Sequence, residues 1–181
     1  MILQEKYKNE VIPALKEKFG YKNSLLVPHL EKVVLNIGFG HHAKEKEYIA
    51  NVEKGLIKLS GQKVVFTKAK KSISAFKVRE GSIIGAKVTL RGQRMYDFTE
   101  KLVNITFPRV RDFRGISDNG VDRSGNMTIG FKEYVCFPEI KVEEVSDIFG
   151  LEVCFSCSAK NLVEGKEFFR LMGFPFKKES K

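Results

Sequence analysis

Apolar residues recur along this chain with two different periods, and the alternation between them constrains the fold more than any other feature. From 3 to 19 every fourth residue is apolar, which predicts a helix that Pro13 kinks or restarts. Helical spacing returns over 44–60, over 93–105 before Pro108, and after Asn161, where Glu164 completes a capping box. The sequence therefore predicts four helical segments distributed along the whole chain.

Between the helices, apolar residues alternate with other residues, as they do in a strand with one buried face. This alternation occurs in five segments, at 32–38, 63–67, 87–91, 127–131 and 151–157. In each of the first three, one face is apolar and can be covered by helices. We therefore predict a sheet that is packed against helices on one side.

The other face of the first three strands carries amide, hydroxyl and cationic side chains and no carboxylate. Its members are Asn36, Lys63, Thr67, Lys87, Thr89 and Arg91. Such groups can bond to phosphates, ribose hydroxyls and base edges over a shallow surface. Exposed strand faces are polar in most proteins, so this pattern also fits an ordinary solvated surface.

The distribution of charge favours the nucleic-acid interpretation. The 181 residues hold 32 Lys and Arg against 22 Asp and Glu, a net charge of +10. Residues 63–94 contain nine basic residues and Glu80 alone, a net +8, whereas residues 133–152 contain six acidic residues and Lys141, a net −5. One basic region and one acidic region predict a polyanion on one side and a basic partner or solvent on the other.

Two long segments lack sustained periodicity, and loops of this length in a compact domain are commonly functional. The first, 68–85, predicts a projecting basic loop in which cations neutralise phosphates and Phe76 stacks on a base. Alternatively, Phe76 packs the loop against itself together with Ile73, Ile83 and Ile84. The second segment, 108–126, is rich in Arg, Asp and Gly.

Other classes of function find little support in the residues. Cys154 and Cys157 form a CxxC, but a strand directs residues three apart to opposite faces, and no second CxxC is present. Three cysteines suit a reducing compartment, and no apolar run approaches the ~20 residues of a spanning helix. We predict a single cytosolic domain, 1–181, with no catalytic residue, metal, cofactor or membrane partner.

Eight segments together resemble a known family, the bacterial-type large ribosomal subunit protein five that binds 5S ribosomal RNA. They are VVLNIGFG (33–40), SGQK (60–63), TKAKKSISAFKVREG (67–81), GAKVTLRG (85–92), PRVRDFRG (108–115), GNMTIGFKE (125–133), FPEI (137–140) and GFPF (173–176). Any one of these segments alone is weak evidence for the family, but their order and spacing together are specific to it.

The resemblance implies an α+β fold of two layers, a mainly antiparallel curved sheet with helices packed on its convex face. The concave face would hold 5S rRNA. The residues that match the family's motifs on or beside that face are Asn36, Gln62, Lys63, Thr67, Lys87, Thr89 and Arg91. This set largely coincides with the polar face inferred from the alternation.

The resemblance also implies two further contacts during translation. The basic loop would contact peptidyl-site tRNA through Lys70, Lys71, Phe76, Lys77 and Arg79. Other loops and the acidic region would contribute to an intersubunit bridge with the small-subunit head protein thirteen. Large-subunit rRNA and neighbouring ribosomal proteins would complete the partners of a cytoplasmic, ribosome-bound protein.

Two alternatives remain at the level of the sequence. One is an RNA-modifying enzyme that uses Cys154, Cys157 or a loop carboxylate. The other is a basic protein that binds nucleic acid or anionic membranes without specificity.

Overall fold

A computed structural model describes residues 2–140 and 147–177. The chain divides into two compact units. The first comprises Met1–Val33, Arg91–Ile129 and Cys154–Lys181, and the second comprises Val34–Leu90 and Gly130–Val153.

The first unit contains most of the helical residues. Helix α1 (Ile2–Lys6) continues through a π-helical turn at Tyr7–Val11 into α2 (Ile12–Phe19). Helix α4 (Gly92–Lys101) likewise continues through a second π-helical turn at Leu102–Thr106 into α5 (Phe107–Arg109). Each π-helical turn ends two residues before a proline, Pro13 or Pro108. The wider turn relieves the clash between a proline ring and the carbonyl four residues earlier. The helix predicted over 93–105 therefore stops four residues early, since the helical segment continues through Pro108 to Arg109.

Helix α6 (Leu162–Leu171) begins with the predicted cap. Asn161 Oδ1 accepts from the Glu164 N–H at 2.9 Å, and Glu164 Oε2 accepts from the Lys160 N–H at 3.1 Å. The helix packs Phe168 and Phe169, both fully buried, into the core of the first unit, and Phe169 meets the ring of Phe155 edge-on at 6.1 Å.

Five strands form one open antiparallel sheet in the order β2-β3-β1-β5-β4. They are β1 (Leu30–Gly38), β2 (Val65–Lys68), β3 (Ile83–Leu90), β4 (Met127–Phe131) and β5 (Leu151–Cys157). In the second unit, helix α3 (Lys46–Ser60) packs against β3. Because helices cover an antiparallel sheet that does not close into a barrel, the predicted α+β class is confirmed.

The residues on the covered side of the strands are those that the alternation predicts. Val33, Leu35 and Ile37 of β1 are at most 1% exposed, and Val153 and Phe155 of β5 are equally buried. Gly55 of α3 lies against an aromatic pair in the core of the second unit. A Cβ at this position would lie 2.8 Å from Phe149 Cζ, which explains why a glycine occurs inside the helix.

The second predicted loop is partly ordered by pairing with other segments of the first unit. Ile116 forms a parallel bridge with Phe176, and Val121 forms an antiparallel bridge with Met127. The Lys166 ammonium lies 3.1 Å from Asp118 Oδ2, which ties the segment to α6.

Candidate nucleic-acid interface

The pairing of β2 with β3 places the predicted binding residues on one face. Val65 lies opposite Lys87, and Thr67 lies opposite Gly85, in an antiparallel register that has one irregularity after Thr67. Residues directly opposite each other share a face, and residues two apart on a strand share it too. Thr89 therefore belongs to the same face as Lys87, while the intervening Ala86 and Val88 are buried in the core.

Gly85 allows the strands to approach closely at this face. A Cβ at this position would lie 2.7 Å from Thr67 Oγ1 and 3.0 Å from the Ile37 carbonyl oxygen. The glycine therefore leaves room for the Thr67 hydroxyl between the strands.

Asn36 of β1 extends the face toward β5. Its side chain is half-buried, whereas its neighbours Leu35 and Ile37 are buried on the opposite side of the strand. Asn36 Nδ2 donates to Glu152 Oε2 at 3.4 Å. We call Asn36, Val65, Thr67, Lys87, Thr89 and Glu152 the polar face.

Two members of the polar face are absent from the set that sequence reasoning selected. Val65 is 58% exposed between the cations, and the alternation from Lys63 to Thr67 could have placed it there. Glu152 could not have been placed without the strand order, because β5 follows β1 by more than a hundred residues. The face predicted from the first three strands therefore gains a carboxylate from β5.

The remaining predicted contacts lie at the ends of the strands. Ser60 Oγ accepts from the Gln62 N–H at 3.2 Å, and Gly61 ends α3 with a φ of +61°, so the chain turns sharply into β2. Gln62 is half-buried and Lys63 is exposed. Arg91, also exposed, follows β3 directly.

The basic loop comprises residues 69–82, fewer than the predicted 68–85, because Lys68 belongs to β2 and residues 83–85 belong to β3. It is a hairpin extension of these two strands. The Ala69 N–H donates to the Ser82 carbonyl at 2.8 Å, and the Ile73 and Val78 N–H groups donate to each other's carbonyls at 2.9 and 3.2 Å. Ser72 Oγ accepts from the Glu80 N–H at 2.9 Å. These bonds give the loop a defined shape.

The predicted contact residues of the basic loop all lie on its surface. Lys70, Lys71, Lys77 and Arg79 are exposed, and Phe76 is 65% exposed. Ile73 is 46% exposed as well, so the alternative in which these rings and methyl groups bury each other is wrong for Phe76 and Ile73. The side chains are available to an external partner.

The cysteines do not form a reactive or metal-binding centre in the described part of the chain. The Cys157 thiol is buried and donates to the Gly125 carbonyl at 2.9 Å, and burial raises its pKa above the ordinary value. All three cysteines are free, and residues 2–140 and 147–177 contain no group of three or more His, Cys, Asp or Glu side chains that could hold a metal ion. No helix among the described residues has the length and apolarity required to cross a bilayer.

The acidic region is only partly described. Asp147 Oδ2 accepts from Asn51 Nδ2 at 2.9 Å, and Glu133 and Glu152 are exposed. Lys141, Glu143 and Glu144, which contribute to the predicted −5, lie outside the described residues.

Comparison with known proteins identifies the class. The model of the family described as "Ribosomal protein L5" matches residues 23–79, and the model of that family's C-terminus matches residues 83–176. Proteins named large ribosomal subunit protein uL5 are similar over nearly their full length. The protein from Carboxydothermus hydrogenoformans is 49% identical over 96% of this chain and 97% of its own. The protein from Desulforapulum autotrophicum is 51% identical over 97% of this chain and 98% of its own.

A basic α+β protein with an open polar sheet face and a cationic loop thus belongs among the rRNA-binding ribosomal proteins. More particularly, the chain belongs to the ribosomal protein L5 family. This family consists of structural proteins rather than enzymes, so the prediction of a non-catalytic protein is confirmed and the RNA-modifying alternative is wrong.

Proposed function

We propose that the protein, which its family makes a structural constituent of the large ribosomal subunit, anchors 5S rRNA on its polar face. The observation that carries the proposal is the register of β2 and β3, which aligns Thr67, Lys87 and Thr89 on the side of the sheet opposite the core. The similar proteins named large ribosomal subunit protein uL5 support the assignment to the subunit. As part of a bacterial ribosome, the protein is located in the cytoplasm.

The chemical groups on the polar face and at the adjoining strand ends have separate roles in this proposal. The Lys63, Lys87 and Arg91 side chains neutralise phosphates and supply affinity that depends on salt. The Asn36 amide and the threonine hydroxyls bond to ribose hydroxyls and base edges and supply specificity. Because the strands fix these groups before binding, little ordering is needed when RNA arrives.

The basic loop contacts the peptidyl-site tRNA in this proposal. Its cations lie at the end of the β2–β3 hairpin, where they extend beyond the polar face, and its hydrogen-bonded backbone holds Phe76 exposed. A cationic hairpin with an exposed aromatic ring suits the backbone and the unpaired bases of a folded RNA. The loop therefore positions the tRNA and does not act on it chemically.

The acidic region contributes to an intersubunit bridge in this proposal. The exposed carboxylate of Glu133 would favour a basic partner by charge complementarity. The small-subunit head protein thirteen is that partner.

A binding titration tests the central assignment. The protein is titrated against 5S rRNA and against an unrelated structured RNA of the same length, at low and high salt. We expect a preference for 5S rRNA that persists at high salt, because hydrogen bonds to bases and ribose are less sensitive to salt than phosphate contacts. Equal binding of both RNAs with the same steep salt dependence would contradict the proposal and would favour the non-specific alternative.

A further inference from the structure

Three exposed arginines lie within six residues of the second long loop, in the first unit. They are Arg109, Arg111 and Arg114, and we call residues 109–114 the arginine segment. Its one carboxylate, Asp112, is exposed as well, so three positive charges against one negative charge leave a net +2. The polar face and the basic loop both belong to the second unit. The arginine segment is therefore a separate cationic feature.

No carboxylate among residues 2–140 and 147–177 forms an ion pair with the three arginines. Other cations of the first unit do form such pairs. The Lys18 ammonium lies 2.9 Å from Glu167 Oε2, and the Lys166 ammonium lies 3.1 Å from Asp118 Oδ2. A guanidinium without a partner keeps its N–H donors for a ligand. The arginine segment therefore offers a group of unused donors to an external anion.

Packing holds the arginine segment in place from both ends. The Val110 N–H donates to the Phe107 carbonyl at 3.2 Å, and the ring of Phe113 stacks on the buried ring of Phe107 with 5.0 Å between centroids. Just after the segment, the Ile116 N–H donates to the Pro175 carbonyl at 2.7 Å. Phe113 thus anchors the segment to the core, while the arginines before and after it stay exposed.

The C-terminal part of the chain adds a fourth cation beside the segment. Gly115 has a φ of +97°, and a Cβ at this position would lie 2.7 Å from the Lys177 nitrogen, so only glycine allows the two backbones to approach this closely. The Lys177 N–H donates to the Ile116 carbonyl at 2.9 Å, and its side chain is exposed. An ordered backbone therefore presents this group of cations before any ligand binds.

We propose that the arginine segment binds the phosphate backbone of a second RNA segment while the polar face holds 5S rRNA. This inference rests on the proposed function, which assigns 5S rRNA to the polar face. A planar guanidinium can bind a phosphate through two parallel hydrogen bonds, which a lysine ammonium cannot do. The Cα atoms of Arg109 and Arg114 are separated by five residues and thus by at most ~18 Å, a distance that a short run of phosphates can cover.

The charge of the segment separates its ligand from the basic partner proposed for the acidic region. Arginines without carboxylate partners would repel a basic protein surface, because like charges across an interface are unfavourable. They suit the phosphates of RNA, to which a large share of protein–nucleic acid hydrogen bonds is made, and the chain belongs to an rRNA-binding family. Contacts of this kind supply affinity and orientation and carry no sequence information. One protein would thus join two RNA segments.

The test measures how tightly a preformed complex of the full-length protein with 5S rRNA binds protein-free large-subunit rRNA, with 5S rRNA alone as the baseline. The main variant carries Arg109→Gln, Arg111→Gln and Arg114→Gln. We expect it to bind 5S rRNA with an affinity within about two-fold of the unaltered protein. Its complex should bind large-subunit rRNA about ten-fold more weakly or less, with a salt slope lower by ~2 to 3, because three phosphates are no longer neutralised.

Two further variants separate the geometry of the site from the net charge. Lys8→Gln, Lys22→Gln and Lys54→Gln together remove the same charge from exposed residues outside the arginine segment, the polar face and the basic loop. This control should change the affinity for large-subunit rRNA by less than about two-fold. Replacing the three arginines by lysine keeps the charge and removes the bidentate contacts. It should therefore retain the salt slope and bind with an intermediate affinity.

Equal weakening by the arginine and lysine controls to glutamine would mean that only net charge matters and would overturn the inference. An arginine variant that binds large-subunit rRNA as tightly as the unaltered protein would also overturn it and would favour an acidic protein surface as the ligand. If the unaltered protein shows no preference for 5S rRNA, the proposed function fails. The same variants are then compared without 5S rRNA, where a loss confined to the arginine variant would still support the site.

Discussion

Glu152 is the one carboxylate on a face that otherwise consists of neutral and cationic groups. Its Oε2 accepts from Asn36 Nδ2, so the Asn36 amide nitrogen is directed along the sheet toward β5. If the polar face binds RNA as proposed, a carboxylate beside this amide would repel phosphates from this part of the face and leave it to bases and ribose. We interpret Glu152 as a residue that contributes to discrimination between RNAs.

Glu152→Gln tests this interpretation. Glutamine keeps an acceptor for Asn36 and removes the charge, and one unit charge about 4 Å from a phosphate costs ~1 kcal/mol in water. We expect both 5S rRNA and an unrelated RNA to bind up to about five-fold more tightly, with a smaller ratio between them. The affinities are measured by titration at one salt concentration.

The control for this prediction is Glu133→Gln, which removes an exposed carboxylate outside the polar face. It should change both affinities slightly and keep their ratio. A ratio that Glu152→Gln leaves intact would show that this carboxylate has no part in discrimination.

Helices and strands with regularly spaced apolar residues could be predicted from the sequence. Features that form only by pairing with a distant segment of the chain could not. The alternation predicted β4 and β5 with the bounds that the structure shows, and the Asn161–Glu164 pair predicted the start of α6. The π-helical turns before Pro13 and Pro108 were not predicted, because the sequence indicates a break at each proline without indicating how the backbone relieves it. The bridges of the 108–126 segment to Phe176 and Met127 likewise depend on tertiary pairing.

Helix α6 lies against the turn before β4 where Gly165 faces Gly125. A Cβ on Gly165 would overlap Gly125 Cα, which is backbone and cannot rotate away. Gly165→Ala should gain ~1 kcal/mol of helix propensity but lose about 1–3 kcal/mol or more through overpacking. We therefore expect a lower free energy of unfolding, measured by chemical denaturation.

Gly130→Ala provides the matched control, because a Cβ at Gly130 meets no atom within 4 Å. It should leave the free energy of unfolding nearly unchanged. A Gly165→Ala protein as stable as the unaltered one would mean that α6 does not pack against Gly125 this closely.

The folded protein buries one tyrosine, Tyr134, and partly buries four others, all of which ionise only at alkaline pH. Burial is the main cause that raises the pKa of Tyr7 to about 12 and that of Tyr21 to about 12, and it also raises the pKa values of Tyr48, Tyr96 and Tyr134. The folded protein keeps protons that the unfolded chain loses above its ordinary tyrosine pKa of 10.0. Stability that is present below pH 10 is therefore lost as the pH rises from about 10 to about 12.

We expect the free energy of unfolding to begin to fall near pH 9, where the thiol of Cys157 ionises in the unfolded chain, and to fall steeply above about pH 10. Tyr7→Phe keeps the ring that meets Phe168 edge-on at 6.2 Å and removes one of the ionising groups. The slope above pH 10 should be shallower in this variant. An identical slope in the two proteins, measured by denaturant titration at each pH, would contradict the assigned role of Tyr7.

At the scale of the whole molecule, the charge pattern predicted an RNA-binding surface, but the sequence could not show how the surface is assembled. Lys87 and Thr89 were assigned to the polar face from the alternation alone, because a strand fixes which side chains share a side. The position of β1 between β3 and β5 was beyond such reasoning, since strand order depends on pairing between distant segments. For this reason Asn36 was predicted and its partner Glu152 was not.

The central claim is that the polar face and the basic loop have separate tasks, with 5S rRNA on the face. The most direct test is the affinity for 5S rRNA of two variants, measured side by side over a range of salt concentrations. The first carries Lys87→Ala and Thr89→Ala. In the second, residues 70–81 are replaced by Asn-Gly, a two-residue turn that keeps the Ala69–Ser82 pair.

We expect the face variant to bind 5S rRNA more weakly, with a salt slope lower by ~0.7 to 0.9 for each phosphate that the variant no longer neutralises. The loop variant should bind 5S rRNA with nearly unchanged affinity. A loop variant that fails to bind 5S rRNA, beside a face variant that binds it normally, would contradict this division of tasks.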